Sequence, residues 1–349
     1  MKPPNHIGAV CIVMALAACS GAQNGATPMT LPSNSGGNSG GGGMTHYSVP
    51  GSSTPNAKNA HKATSALLLV LNEGGGTGGS IGEFPESANG NVAPSSVISK
   101  DVGQPLAIAF TSTKNGRIGI ADGNLAHFGG EDGIETFALS TGDFLTGICG
   151  FRKPSQTNAV AFDSSGSIYV SDTSADISTV DVFASGANGC KKPQRTISDA
   201  GGLAIDSNNV LYVANSITKT IDIFAAGSST MEAQIGGSNT GLEAPNTVAV
   251  DASRNVYVSD GMTATISEFA AGATGNVAPI RTIAGSKTGL NAGGALAVSK
   301  ASGEIFVLNG STNAVLGFAA TASGNVAPIQ TIAGSATQFS TPVGLAVTE

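Results

Sequence analysis

Five polar residues stand just before, or at the start of, short apolar runs, where they could line one ligand site. The carboxylates of Asp199 and Glu243 would serve acid–base chemistry. The amides of Gln104, Asn158 and Asn246 can bind a polar ligand, but without carboxylates they make a poor cage for a hard cation. We therefore predict that these five residues bind a ligand, with no metal and no cofactor.

Other catalytic groups find little support in the sequence. His127 lies alone in a Gly-rich stretch, and no Ser or Asp partner stands at a spacing typical of nucleophilic catalysis. Residues 37–41 fit the Gly-x-Ser-x-Gly pattern of a nucleophile elbow, but they lie in low-complexity sequence that predicts no strand before it. We predict no catalytic residue.

The charge balance narrows the class of partner. Only 11% of the 349 residues are charged and the formal net charge is −7, whereas about 25% of residues are charged in ordinary globular domains. Phosphate binding needs a basic patch, and the 16 Lys and Arg residues are scattered. We expect no nucleic-acid partner.

The N-terminal residues carry an export pattern. Lys2 is followed by an apolar run at residues 7–18, too short to span a bilayer. Residues 16–19 (Leu-Ala-Ala-Cys) resemble the lipobox of bacterial lipoproteins. The resemblance implies a signal peptide at 1–18, acylation of Cys19 by palmitate-type chains and anchoring in the cell envelope. The alternative is an ordinary secretory signal with a chance Cys.

The segment after the lipobox predicts a tether. Ser20 follows Cys19, and an outer-membrane or cell-surface location is the expectation that goes with a residue other than Asp. Residues 19–65 are rich in Gly, Ser and Asn and almost lack aliphatic side chains, so they cannot bury enough surface to offset their ordering entropy. We expect a flexible tether with a reach of roughly 35–40 Å.

From residue 66 onward, one unit recurs six times at intervals of 43 to 50 residues. Short alternating runs bounded by Gly, Asn, Asp and Ser predict four antiparallel strands in each copy. We interpret the Asp or Asn at the end of each second run as a turn residue. These residues are Asn72, Asp122, Asp172, Asn215, Asp260 and Asn309, and the Phe residues that follow them are Phe84, Phe137, Phe183, Phe224, Phe269 and Phe318.

Four-stranded units of this length predict a β-propeller, with a solenoid or a row of separate sheets as the alternative. The first copy lacks an innermost strand, and residues 342–347 match an innermost strand. We therefore predict an all-β, six-bladed β-propeller of four-stranded antiparallel blades over residues 66–349. Its C-terminal strand completes the first blade.

The copies resemble NHL repeats. The resemblance rests on residues 201–206 (Gly-Gly-Leu-Ala-Ile-Asp), 211–215 (Leu-Tyr-Val-Ala-Asn) and 221–224 (Ile-Asp-Ile-Phe). It implies a propeller, and the family includes binding modules, lyases and lactonase-like enzymes. The Asn-x-Arg-Ile element of the family is replaced by Thr-Lys-Thr-Ile at 218–221, and the basic surface of RNA-binding relatives is missing.

Cys149 and Cys190 are the cysteines that remain beyond the predicted leader and lipidation site. In an oxidising compartment they would form a disulfide between adjacent copies, and two unpaired thiols are the alternative.

These observations favour a surface-tethered, non-enzymatic propeller that binds a protein, a glycan or a small ligand. The alternative is a lactonase- or lyase-like hydrolase with its site at the mouth of the channel. A component of an envelope assembly machine is a third hypothesis.

Overall fold

The computed structural model describes residues 66–74, 78–113, 116–123, 133–149, 155–174 and 177–348, and these form six four-stranded antiparallel sheets. The predicted signal peptide, lipidated Cys19, tether and His127 lie outside the described residues. Within these ranges, no helix is both long and apolar enough to cross a membrane.

Each sheet is one blade, and its strands follow one another along the chain from the innermost to the outermost. Blade 1 is the exception, because its innermost strand comes from the C-terminal segment. The strands are β1 (Leu67–Asn72), β2 (Ser80–Pro85), β3 (Ser96–Ile98), β4 (Pro105–Thr111), β5 (Arg117–Asp122), β6 (Gly133–Ala138), β7 (Phe144–Cys149), β8 (Ser155–Phe162), β9 (Ile168–Ser174), β10 (Ile177–Phe183), β11 (Arg195–Ile197), β12 (Gly202–Ile205), β13 (Leu211–Asn215), β14 (Thr220–Phe224), β15 (Met231–Gly236), β16 (Pro245–Val250), β17 (Val256–Asp260), β18 (Ile266–Phe269), β19 (Arg281–Ile283), β20 (Leu296–Val298), β21 (Ile305–Asn309), β22 (Ala314–Phe318), β23 (Gln330–Ala333) and β24 (Pro342–Val347).

The ring closes as predicted. Strand β24 pairs with β1, with Leu69 opposite Ala346, and the sheet order of blade 1 is β24-β1-β2-β3. The innermost strands also contact one another in a closed cycle, from β24 through β4, β8, β12, β16 and β20 back to β24. The fold is therefore the six-bladed propeller that the repeat predicts, and its innermost strands surround a central channel.

The described core consists of apolar clusters, one at each of the six junctions between adjacent blades. The recurring Phe of each copy is buried in this core, with no more than 3% of its surface exposed. A Phe that is buried this fully contributes roughly 3 kcal/mol by removing apolar surface from water. The regular Phe spacing is thus a packing signal.

The Asp or Asn at the end of the second strand holds two loops together. In blade 5, Asp260 Oδ1 accepts the N–H groups of Met262 and Thr263 in its own turn. Its Oδ2 accepts the N–H groups of Glu243 and Ala244, in the link from the preceding blade. The turn interpretation is confirmed, and the reach to the neighbouring link is a feature that the sequence pattern did not reveal.

A second contact joins the outer strands of neighbouring blades. The Gly of each Gly-Asn-Val-Ala-Pro segment donates its N–H to the preceding blade, as Gly275 does to Gln234 O at 2.6 Å. In blade 3, Gly189 makes the same contact with Gly147 O, and Cys190 replaces the Asn that follows the Gly elsewhere. Cys190 forms a disulfide with Cys149, so the predicted bond links blades 2 and 3 covalently.

Candidate functional site

The channel has two ends, one where the innermost strands begin and one where they turn into β-hairpins. At the strand-entrance mouth, β-bulges interrupt the pairing at Leu106, Asn158 and Asn246, and at Val343 of β24. A bulge re-aims the side chain at that position. Two of these four residues are Asn and two are aliphatic, so the copies differ in chemistry at the bulged position.

Close packing at this mouth depends on small residues. A Cβ on Gly202 would lie 2.4 Å from the carbonyl oxygen of Asn246, and one on Gly294 would lie 2.1 Å from that of Leu308. Both distances are shorter than a carbon–oxygen contact allows. Glycine at position 202 lets the innermost strands of blades 4 and 5 approach one another closely, and glycine at position 294 lets the chain entering β20 lie against β21 of the same blade.

Asp199 forms a buried polar group in the link between β11 and β12. Its Oδ1 accepts the N–H of Ala200 at 2.8 Å and Nδ2 of Asn215 at 2.9 Å. The same Nδ2 lies 3.2 Å from Asp222 Oδ2, while Thr220 Oγ1 donates to Asp222 Oδ1 at 2.8 Å. Burial, and then the neighbouring Asp222, raise the pKa of Asp199 to about 7. Asp199 therefore holds a proton that an exposed Asp would lose.

The other predicted site residues have separate partners. Glu243 Oε2 accepts a hydrogen bond from Lys219 Nζ at 2.6 Å on the exposed surface. Asn246 Nδ2 donates to Gly293 O at 2.6 Å, and Gln104 is exposed. Asn158 lies inside β8 rather than before it, and its side chain is outside the described part. Among the described side chains of the five, no hydrogen bond or ion pair joins any two, so their shared role stays a prediction.

A smaller cavity of about 210 Å³ lies at the strand-entrance end between blades 6 and 1. Its polar lining comes from Asn291, Asn309 and Ser311, whose side chains are hydrogen-bonded to one another. None of the five predicted residues lines it.

The hairpin-end cavity is larger, at about 420 Å³. Three consecutive innermost strands, β4, β8 and β12, supply its apolar wall, which includes the half-buried Phe110, Phe162 and Ile205. The hairpins after these strands add hydroxyl groups, and Lys300 of blade 6 completes the lining. The lining hydroxyl residues are Thr111, Ser112, Thr113, Ser164 and Ser207.

The carboxylates of the hairpin end are occupied by their own turns. Asp206 Oδ1 accepts the N–H groups of Asn208 and Val210, and Oδ2 lies 3.4 Å from the hydroxyl of Tyr212. Burial and the nearby Asp206 raise the pKa of Tyr212 to about 12. The tyrosine is therefore a hydrogen-bond donor at neutral pH, and the aspartate serves the fold.

A metal site would need several ligating side chains close together. Within the described ranges, no group of three or more His, Cys, Asp or Glu side chains is placed to hold a metal ion. The sequence did not reveal the hairpin-end cavity, because a cavity results from the spacing of whole blades. Asp222 was missed because it lies in the middle of a strand and resembles an ordinary alternating polar residue.

No protein-family model matches this chain, and no curated protein matches it. Solved structures match in fold. A protein of unknown function from Bacteroides caccae is 11% identical, covers 82% of this chain and 100% of its own, and has a TM-score of 0.58. A chain of the nidogen/laminin complex is 15% identical, covers 82% of this chain and 99% of its own, and has a TM-score of 0.56. The periplasmic gluconolactonase PpgL of Pseudomonas aeruginosa is 12% identical, covers 81% of this chain and 99% of its own, and has a TM-score of 0.54. At these identities, the matches establish that the chain has the fold of a β-propeller.

Proposed function

We propose that this chain is a lipid-anchored binding protein of the bacterial envelope, whose NHL-like propeller holds a small ligand in the hairpin-end cavity. One observation carries the proposal: the cavity combines an apolar wall with a rim of hydroxyl groups. Its volume of about 420 Å³ lies within the range of small-molecule sites, roughly 300–1,000 Å³. A ligand with an apolar body and a hydrogen-bonding edge suits this lining.

Binding is favoured over catalysis by the occupation of the acidic groups. Asp163, Asp206 and Asp251 each accept backbone N–H groups of their own hairpin through Oδ1. These hydrogen bonds commit the Oδ1 atoms to holding the turns. The rim therefore offers hydroxyl groups for recognition, while its carboxylates serve the fold.

A hydrolase with its site at the strand-entrance mouth is the second candidate function. The specific observation in its favour is Asp199, because a carboxyl group with a pKa of about 7 can act as a general acid. Against it, Asp199 and Asp222 are only 9% and 5% exposed and line neither of the two cavities described above. A substrate would need access to two side chains that are almost fully buried.

A large side chain placed at the lining of the hairpin-end cavity tests whether the cavity binds a ligand. Ser207 lies on an exposed hairpin that lines the cavity, and Ala252 is the equivalent residue of the blade 5 hairpin outside the lining. We expect Ser207→Trp to weaken binding of the uncharged fluorescent probe N-phenyl-1-naphthylamine by about tenfold or more. Ala252→Trp should leave the affinity within about twofold of the parent.

Equal effects of the two substitutions, or no saturable binding by the parent protein, would contradict the cavity as a binding site. Native mass spectrometry of the protein taken from bacterial envelopes then identifies the occupant. A small molecule lost from Ser207→Trp supports the proposal, whereas a protein or glycan retained by both variants points to a different surface.

A further inference from the structure

A separate cavity of about 270 Å³ lies between blades 3 and 4 on the hairpin face. Its lining includes Tyr169, Val182, Gln194, Arg195 and Gly227. It is offset from the channel because these residues come mainly from the second to fourth strands of blade 3 and an outer loop of blade 4.

The copies differ in charge pairing at this place. In blade 5, Arg281 of β19 stands opposite Glu268 of β18, and the two form an ion pair with one side chain buried and one half-buried. In blade 3, Arg195 of β11 occupies the position of Arg281, but the residue opposite it is Val182. Blade 3 has the arginine but not the acid that neutralises its counterpart in blade 5.

The contacts of Arg195 do not replace that acid. Its Nη2 donates to the hydroxyl of Tyr169 at 3.1 Å, and the guanidinium carbon lies 5.7 Å from the centroid of the same ring. Its Nε is buried and has no hydrogen-bond acceptor, and no carboxylate of the described residues lies within 4.0 Å of the guanidinium. A buried donor without an acceptor is unfavourable, so the site favours a ligand that supplies an acceptor.

Asp163 also lines the cavity, and its charge opposes an anion. Three hydrogen bonds already reach Asp163 Oδ1, from the N–H and hydroxyl of Ser165 and the N–H of Ser167. Those bonds disperse its negative charge. Arg195, by contrast, has a buried Nε–H group that makes no hydrogen bond.

We propose that the cavity between blades 3 and 4 binds the oxyanion group of a small ligand, a carboxylate or a phosphate, through the guanidinium of Arg195. A guanidinium matches the two oxygens of such a group with two parallel hydrogen bonds. The exposed amide of Gln194 lies on the same lining and adds a further donor. The position of this site in blade 3 follows from the missing acid at Val182.

The test uses the full-length chain in detergent, with acetate and inorganic phosphate as probes at constant ionic strength. The readout is the shift of the arginine Nε–Hε signals in nitrogen-15 NMR spectra. We expect one signal to shift in a saturable way, and Arg195→Gln to remove that signal. Saturation with phosphate alone or acetate alone would assign the site to that class of oxyanion.

Val182→Glu supplies the sharper variant, because it restores in blade 3 the acid found in blade 5. It should weaken oxyanion binding about tenfold or more while Arg195 stays in place. Arg281→Gln is the matched control and should leave the affinity within about twofold. The proposal is wrong if no arginine signal moves up to about 50 mM probe, if the moving signal is still present in Arg195→Gln, or if Val182→Glu binds the probe as the parent does. If Val182→Glu does not fold, the loss or persistence of the moving signal in Arg195→Gln decides the question. Binding of N-phenyl-1-naphthylamine still tests the hairpin-end cavity independently.

Discussion

Replacing Asp199 by Asn should change how the stability of the propeller depends on pH. Asp199 holds its proton in the folded state up to a pKa of about 7, against an ordinary value of 3.8. Between these values the folded state binds a proton that the unfolded state does not. The free energy of unfolding therefore falls as the pH rises through this window, by up to about 1.4 kcal/mol per unit.

The amide introduced by Asp199→Asn would imitate the protonated carboxyl group without titrating. Its oxygen can accept from Asn215, and its nitrogen can donate to the neighbouring carboxylate of Asp222. From pH 5 to pH 7, the parent should lose about 2–3 kcal/mol relative to Asp199→Asn. Above pH 7 the difference should level off, because Asp199 is then charged in both the folded and the unfolded state of the parent.

Urea unfolding at pH 5, 6, 7 and 8 measures this difference directly. Glu135 also titrates in the folded state, because burial, Asp122 and Asp101 raise its pKa to about 8. Its effect is common to both proteins and cancels in the comparison. Parallel stability curves for the parent and Asp199→Asn would refute the reasoning, since they would show that Asp199 is ionised in the fold at pH 5.

Four further outcomes test other contacts. Asp260→Asn should destabilise the chain by about 1–3 kcal/mol in urea unfolding at pH 7, because an amide nitrogen replaces an oxygen that accepts backbone N–H groups. The hydrogen bonds lower the pKa of Asp260, so this loss should shrink as the pH falls through that lowered pKa; an equal loss at every pH would contradict it. Replacing Cys149 and Cys190 by Ser should cost about 4 kcal/mol in a loop-entropy calculation for a separation of 41 residues, measured against the parent with and without reductant. Gly202→Ala should lower the melting temperature by several degrees, whereas Gly123→Ala, whose nearest contact is 3.7 Å, should not. Cys19→Ser should abolish incorporation of a labelled fatty acid in a bacterial host, and continued labelling would exclude the lipobox.

Much of the fold was predictable because its signals repeat. In blade 5 the sequence predicts strands near 247–250, 255–259, 265–270 and 279–284, and the structure has Pro245–Val250, Val256–Asp260, Ile266–Phe269 and Arg281–Ile283. Alternation of apolar and polar residues is a local property, and six copies support one another. Closure by β24 was predictable for the same reason, since residues 342–347 match one more innermost strand.

Contacts between blades were harder to predict. Asp260 was recognised as a turn residue from its sequence, yet half of its hydrogen bonds reach Glu243 and Ala244 in the preceding link. Nothing local to Asp260 indicates that reach, because it depends on how adjacent sheets pack. The same holds for Asp199 and Asp222, which lie in the link before blade 4 and in its third strand and meet only when that blade is assembled.

The lack of an acid opposite Arg195, however, could have been predicted from the sequence. Arg-Thr-Ile occurs at residues 195–197 and again at 281–283, and the residue before the recurring Phe is Val182 in one copy and Glu268 in the other. Because the third and outer strands pair in antiparallel register, each arginine lies opposite the residue before the Phe. An arginine that lacks such an acid has no compensation for its charge. Arg195 therefore marks the place where blade 3 departs from the ion pair of blade 5.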